Sequence, residues 1–201
     1  MIKVIEFSFD DGLREDLLIA KLFRKYSEYD PLFKVVFYIP NNCNLADYDI
    51  ISLSQDFEIG GHTVSHPSDL KLLSDDDLKF EIESNKIWLE KIIKRKITKF
   101  CYPRGRHDAR VMKAVLDAGY TEARTTVVNN TGFGGFDKHT TLHFYPRLEY
   151  NGDNPFGLAK NYINAYKEGE YLRFWGHSRE LLDNYGIEPL EDLLKFICQI
   201  H

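Results

Sequence analysis

Ile5-Glu-Phe-Ser-Phe-Asp-Asp-Gly-Leu13 is the stretch whose reading decides the fold. Val4, Ile5, Phe7 and Phe9 alternate with Glu6 and Ser8, the pattern of a strand with at least one buried face. The run stops at Asp10-Asp11-Gly12, where glycine frees the backbone to turn. Two adjacent carboxylates at the end of a buried strand repel one another and are penalised by desolvation. A fold keeps them at low cost when a positive charge lies between them, and a metal ion is the obvious source. A solvated turn explains the same residues, since Asp and Gly are common in turns. The choice therefore rests on the rest of the chain.

Outward from that strand, strand-like and helix-like patterns alternate. Leu13, Leu17, Leu18, Leu22 and Phe23 are spaced for a helix over 13–27. Lys34–Pro40 reads as a second strand, 45–55 as a short helix, and Phe57–His62 as a third strand. Ser74 and Asp77 form the start of a helix running to Lys96, with Leu78, Ile82, Leu89, Ile92 and Ile93 on its inner face. Lys99–Tyr102 is the next strand, and Asp108 to Gly119 the next helix. Strand-like Tyr120–Thr126 precedes an Asn-, Thr- and Gly-rich loop over 127–142. His143–Leu148 and Tyr171–Trp175 read as strands, Pro155–Lys167 and Pro189–Ile200 as helices. Alternation of this kind implies parallel βα units. About seven of them, without a shift in composition, predict one barrel-like α/β domain over residues 1–201. In such folds the chemistry lies at the C-terminal strand ends, where Asp10, Asp11, His62, Pro103 and His177 all fall.

Composition narrows the function. The 201 residues are 43% hydrophobic and 28% charged, with a formal net charge of −5. That charge argues against a nucleic-acid partner, and no apolar run is long enough for membrane insertion. Met1-Ile2-Lys3 leads straight into the first strand, and Cys43, Cys101 and Cys198 form no CxxC pair. A cytoplasmic protein with reduced thiols is the expectation.

Gly61-His62-Thr63-Val64-Ser65-His66 places two histidines four residues apart; on a helical turn they would face one way and grip one ion. With the Asp pair they offer a carboxylate and two imidazoles, leaving coordination positions open for water and substrate. Trp175-Gly176-His177 ends the last strand and can bring His177 to the same pocket as a general acid. A packed histidine is the plainer account of that motif alone.

Phe9-Asp-Asp-Gly12, His62-Thr-Val-Ser-His66, Tyr102-Pro-Arg-Gly105 and Trp175-Gly-His177 occur in the order and rough spacing of the polysaccharide deacetylase family, which the chain resembles along nearly its whole length. The resemblance implies a distorted (β/α) barrel and a divalent ion, above all Zn2+, with Co2+, Ni2+, Fe2+ or Mn2+ as alternatives. It implies hydrolysis of an N-acetyl (sometimes O-acetyl) group on a sugar. Carried over by residue, Asp10 matches the catalytic base, Asp11, His62 and His66 the metal ligands, and His177 the general acid. The backbone N–H of Arg104 matches the group that helps hold the oxyanion.

Two positions depart from the family pattern. Cys101 stands where an arginine often orients the catalytic Asp, and Arg124, at a neighbouring strand end, is the candidate replacement. Arg104 stands where a tyrosine is common. Arg104, Arg106 and His107 would suit an anionic sugar group, though a solvated charged face is the simpler reading. Glu180 could orient His177; Trp175 could stack on a sugar ring, though a buried tryptophan in a strand is usually core; and His139 and His143 flank a loop that could line the cleft, with surface or packing roles the plainer account. Three functions stay open: a carbohydrate deacetylase acting on an N-acetylated sugar, with a small precursor favoured over a polymer; a metal-dependent amidohydrolase on a non-sugar amide; and a non-catalytic carbohydrate binder.

Overall fold

The computed structural model describes residues 5–27, 33–126, 140–143, 155–165 and 172–200. The chain runs β1 (Ile5–Asp10), α1 (Asp16–Lys25), β2 (Phe33–Ile39), α2 (Asp47–Asp56), β3 (Glu58–Gly61), α3 (Asp75–Ile93), β4 (Lys99–Cys101) and α4 (Ala109–Asp117). It continues through β5 (Glu122–Arg124), β6 (Thr140–His143), α5 (Pro155–Ala165), β7 (Leu172–Gly176), α6 (Ser178–Tyr185) and α7 (Glu188–Gln199). Seven parallel strands form one sheet in the order β5-β4-β3-β2-β1-β7-β6.

Strand β1 sits near the middle and is buried on both faces along all six residues. Its odd residues face the helices. Phe7 packs on Phe23 and Phe174 at ring-centroid distances of 5.1 and 5.4 Å, and Phe9 stacks on Phe37 at 5.8 Å. Its even residues face the hollow of the sheet, where Glu6 meets Arg173 at 2.9 Å and Lys99 closes on the same carboxylate. The alternation of apolar and polar residues in β1 therefore separates two buried layers, one apolar and one ionic. Buried charges persist when they are paired, and here each has a partner on another strand.

These pairs also measure the curvature. Arg173 on β7 contacts Glu122 on β5, although five strand spacings separate them along the sheet. In a flat sheet the two would stand roughly 24 Å apart. The sheet therefore curls into the distorted (β/α) barrel expected from the sequence. The count of about seven βα units does not carry over fully. Six strands lead to a described helix, and after β5 only Thr125 and Thr126 are described before residue 140.

Helix boundaries follow local chemistry. Ser74 accepts the Asp77 N–H at 3.1 Å at the start of α3, and three Asp residues in its first turn favour the positive end of the helix dipole. Asp108 caps α4 through the Val111 N–H at 2.9 Å. Of the segment read as strand His143–Leu148, His143 ends β6 (Thr140–His143), and 144–148 lie outside the described residues, as does His139. The eight-residue α6 was not anticipated. Among the described residues no helix is long and apolar enough to cross a membrane.

Candidate active site

The C-terminal ends of β1, β3, β4, β5 and β7 open on one mouth. Asp10, the last residue of β1, is only 2% exposed. Asp11 then takes φ 77° and Gly12 φ 58°. The turn expected at the glycine thus begins one residue earlier. Gly12 is needed as well, since a Cβ there would lie 2.7 Å from Cys43 Cβ.

Asp11 Oδ1 lies 3.4 Å from His62 Nε2 and 3.5 Å from His66 Nε2, and it is buried without a hydrogen-bond partner. His62 directs Nδ1 at the Cys101 carbonyl, 2.8 Å away. With its proton on Nδ1, the ring turns a lone pair at Nε2 toward Asp11. A carboxylate oxygen and two imidazole nitrogens facing one another need a proton or a cation between them. Burial disfavours a charged His62, yet Cys101, Asp11 and Asp10 raise its pKa well above the ordinary value. Burial raises the Asp11 carboxyl, but His62, His177 and His66 bring it down to about 2. Around an ion with bonds of about 2.1 Å at tetrahedral angles, ligand atoms stand roughly 3.4 Å apart. Both distances from Asp11 Oδ1 fit such an ion.

The histidine loop corrects one expectation. Residues 62–66 are not a helical turn, because Thr63 has φ 71° and His66 φ 53°. Two left-handed residues fold the loop back so that both rings reach Asp11, with His66 N–H donating to Thr63 Oγ1 at 3.1 Å.

A second cluster, Asp10, His62 and Cys101, also brings three donor atoms together. It is the poorer fit for an ion. Arg124 already occupies Asp10, and burial pushes the Cys101 thiol up.

Arg124 is fully buried and its Nη2 clasps Asp10 Oδ1. Cys101 and Arg124 are register partners on adjacent strands. The short Cys101 side chain, its Sγ 3.6 Å from Asp10 Oδ2, leaves the space through which Arg124 reaches across β4. Burial pushes the Asp10 carboxyl up, but Arg124, with His62 and His177, outweighs it and holds the pKa below the usual carboxylate value. The guanidinium also lies over the rings of Trp175 at 4.7 Å and Tyr38 at 5.1 Å. Trp175, 3% exposed, thus packs against Arg124 in the interior rather than offering a face to a sugar.

His177 follows β7, with Nε2 3.7 Å from Asp11 Oδ2 and Nδ1 2.6 Å from Glu180 Oε2 in the first turn of α6. Arg104 has φ 56° in the turn after β4, its side chain exposed and its carbonyl accepting the Thr126 hydroxyl at 3.3 Å. Arg106 donates to Ser68 O at 3.3 Å and lies 3.7 Å from Asp69, while His107 stacks on Tyr102 at 4.5 Å. These contacts divert Arg106 and His107 from an anion site shared with Arg104. A shallow pocket beside the mouth is lined by Asp11, Leu13, Pro40, Asn42, Cys43, Asn44 and His66.

Glu81 and Asn85 escaped the sequence reading. Both point from α3 at the histidine loop, Glu81 to the Val64 N–H at 2.8 Å and Asn85 to the His62 N–H at 2.9 Å. The signal was present, because they interrupt the buried stripe of Leu78, Ile82 and Leu89 at helical spacing.

A family model described as polysaccharide deacetylase matches residues 2–123. Solved structures share the fold. A chitin deacetylase from the fungal pathogen Colletotrichum lindemuthianum matches with TM-score 0.69 and 15% identity, over 98% of this chain and 85% of its own. A family 4 carbohydrate esterase from Streptomyces lividans, in complex with acetate, matches with TM-score 0.68 and 12% identity over 96% and 88%. A mutant of BA3943 from Bacillus anthracis, a CE4 family pseudoenzyme with restored enzymatic activity, matches with TM-score 0.68 and 16% identity. The chain covers 63% of that protein's length. It covers 58% of a Streptococcus pyogenes deacetylase. No curated protein matches the sequence.

Proposed function

This chain belongs to the polysaccharide deacetylase family, and from that premise we propose that it is a metal-dependent hydrolase removing acetyl from an N-acetylated sugar, or from an O-acetylated one. The observation that carries the reading is the convergence of Asp11 Oδ1, His62 Nε2 and His66 Nε2 beside an Asp10 that is clasped by Arg124. One domain over residues 1–201 carries all of these groups in the proposal.

Asp11, His62 and His66 would hold a divalent ion, zinc before cobalt, nickel, iron or manganese. When bound, such an ion polarises an acetyl carbonyl and lowers the pKa of water from about 16 to about 7. The remaining work falls to the chain. Asp10, kept ionised by Arg124, takes the proton of the attacking water. Arg124 holds that carboxylate in one orientation through a charged hydrogen bond. The N–H of Arg104 supports the developing oxyanion. His177, braced at Nδ1 by Glu180, gives a proton from Nε2 to the departing amine, which would otherwise have to leave as an anion.

The test is acetate release from N-acetyl and O-acetyl sugars, sugar nucleotides and simple amides, with chelator and with zinc restored. Release from an acetylated sugar that disappears with chelator and returns with zinc is expected. Turnover confined to simple amides would make the chain an amidohydrolase of another kind, and full activity in chelator would remove the ion from the mechanism. No turnover on any substrate, with zinc bound, would leave a carbohydrate binder.

A further inference from the structure

The geometry points to Glu81 and Asn85 as positioning residues that set how tightly the His62–His66 loop holds its ion. The inference rests on the metal reading above. The loop contains two non-glycine residues in the left-handed region, Thr63 and His66. Such backbone persists only where its surroundings fix it.

Helix α3 supplies that fixing through two side chains one turn apart. Glu81 Oε2 accepts the N–H groups of Val64 at 2.8 Å and Ser65 at 2.9 Å, and its Oε1 accepts the Ser65 hydroxyl at 2.7 Å. Asn85 Oδ1 accepts the His62 N–H at 2.9 Å. Its Nδ2 donates to Ile39 O at 3.0 Å and Asn41 Oδ1 at 2.8 Å, tying the loop to the end of β2. Glu81 is 8% exposed and Asn85 fully buried. A nearly buried carboxylate whose partners are three donors of one loop is a mould for that loop, and the loop carries two of the three proposed ligands. The backbone of the first histidine hangs on Asn85. The residues just before the second hang on Glu81.

Each side chain has a use that a shortened replacement cannot supply. In Glu81→Ala the Val64 and Ser65 N–H groups lose their acceptor. In Asn85→Ala the His62 N–H and the Ile39 carbonyl lose their partner without any change of charge. Glu81→Gln removes the charge but keeps the contacts, its amide oxygen accepting the two N–H groups and its amide N–H donating to the Ser65 hydroxyl oxygen. A fall in affinity in both alanine variants, with Glu81→Gln nearer to wild type, therefore reports geometry rather than the loss of a negative charge near a cation.

The experiment is zinc affinity by competition with a chromophoric chelator, with thermal melting of each metal-free protein alongside. Glu83→Gln serves as control, because Glu83 lies on the same helix at 38% side-chain exposure. Glu81→Ala and Asn85→Ala should each weaken zinc binding about 10–100-fold, the range for groups that orient metal ligands, Glu81→Gln should weaken it less, and Glu83→Gln should leave it unchanged. Lower melting temperatures with wild-type zinc affinity in both alanine variants would reduce the pair to structural support and overturn the inference. Wild-type protein that takes up no zinc would instead remove the metal reading itself, and the brace with it.

Discussion

Asp10 and Asp11 are adjacent, chemically identical and placed in opposite settings. Asp10 ends the strand inside the hollow of the sheet, 2% exposed, between Arg124 and the Cys101 thiol. Asp11 has a side chain 34% exposed and faces two imidazole nitrogens. A continued strand would have sent Asp11 to the opposite face, toward the helix layer that receives Phe7 and Phe9. The left-handed turn at Asp11 and Gly12 brings it back to the mouth instead. Two residues of backbone thus convert one repelling pair into a buried carboxylate clasped by an arginine and a half-buried one facing two imidazoles.

The strongest way to break the comparison is to neutralise each carboxylate in turn. Asp10→Asn should lower kcat by about 10²–10⁴-fold, the range for a lost general base, with zinc affinity nearly intact. Asp11→Asn should weaken zinc binding itself by more than about 100-fold, beyond what groups outside the ligand set cause. Asn accepts the left-handed conformation, so the turn survives. Parallel titrations and rates decide the matter. Equal loss of zinc in both variants would mean the two carboxylates do not divide the work.

Arg124→Lys probes the guard on Asp10, because a lysine cannot reproduce the guanidinium fork. A loss of about 10–100-fold in kcat/KM is expected, close to that of Arg124→Ala. The pH profile gives a separate reading. Burial raises the Asp10 carboxyl and Arg124 opposes it. Removing the arginine must therefore move the acid limb of Arg124→Ala to higher pH. An unmoved limb would show that the guard does not act through the Asp10 charge. Glu180→Gln should cost about 10-fold in kcat with zinc affinity unchanged, since Glu180 pairs with His177 rather than with the three proposed ligands.

The smallest effect concerns Asp11 in metal-free protein. Its folded pKa is about 2 against an ordinary 3.8. Its stabilisation is therefore complete above pH 3.8 and lost as pH falls toward about 2. After discounting for solvent screening the contribution is about 1 kcal/mol. Urea unfolding in chelator should show wild type losing that much more than Asp11→Asn between those pH values. Parallel curves would place the low pKa in doubt.

Much of this arrangement was legible because strands and their ends obey short-range rules. The β1 pattern, the capped helix α3 and the strand-end positions of Asp10, His62 and His177 follow from neighbours in sequence. Arg124 was found by the same logic, as an arginine at a strand end beside a position that had lost one. What escaped depends on residues distant in sequence. Histidines four apart suggest a helix when read alone, whereas the observed loop is imposed by Glu81 and Asn85 from α3. Trp175 is core, as a tryptophan within a strand usually is, but nothing nearby in sequence reveals that Arg124 is what covers it. Helix α6 has only eight residues, and its start was hidden by a motif that read as the end of a strand.

The ionic layer beneath the mouth bears on how the molecule assembles. Glu6 pairs with Lys99 and Arg173, and Arg124 reaches back 114 residues to Asp10. Contacts of such sequence separation form late, after most of the loop-closure entropy has been spent. Until β4, β5 and β7 dock, Glu6 and Asp10 lack their full set of cations and must stay partly hydrated. A half-built sheet therefore cannot dry its own hollow. Desolvation of the interior and assembly of the mouth become a single event, and a nascent chain still lacking β7 would have completed neither.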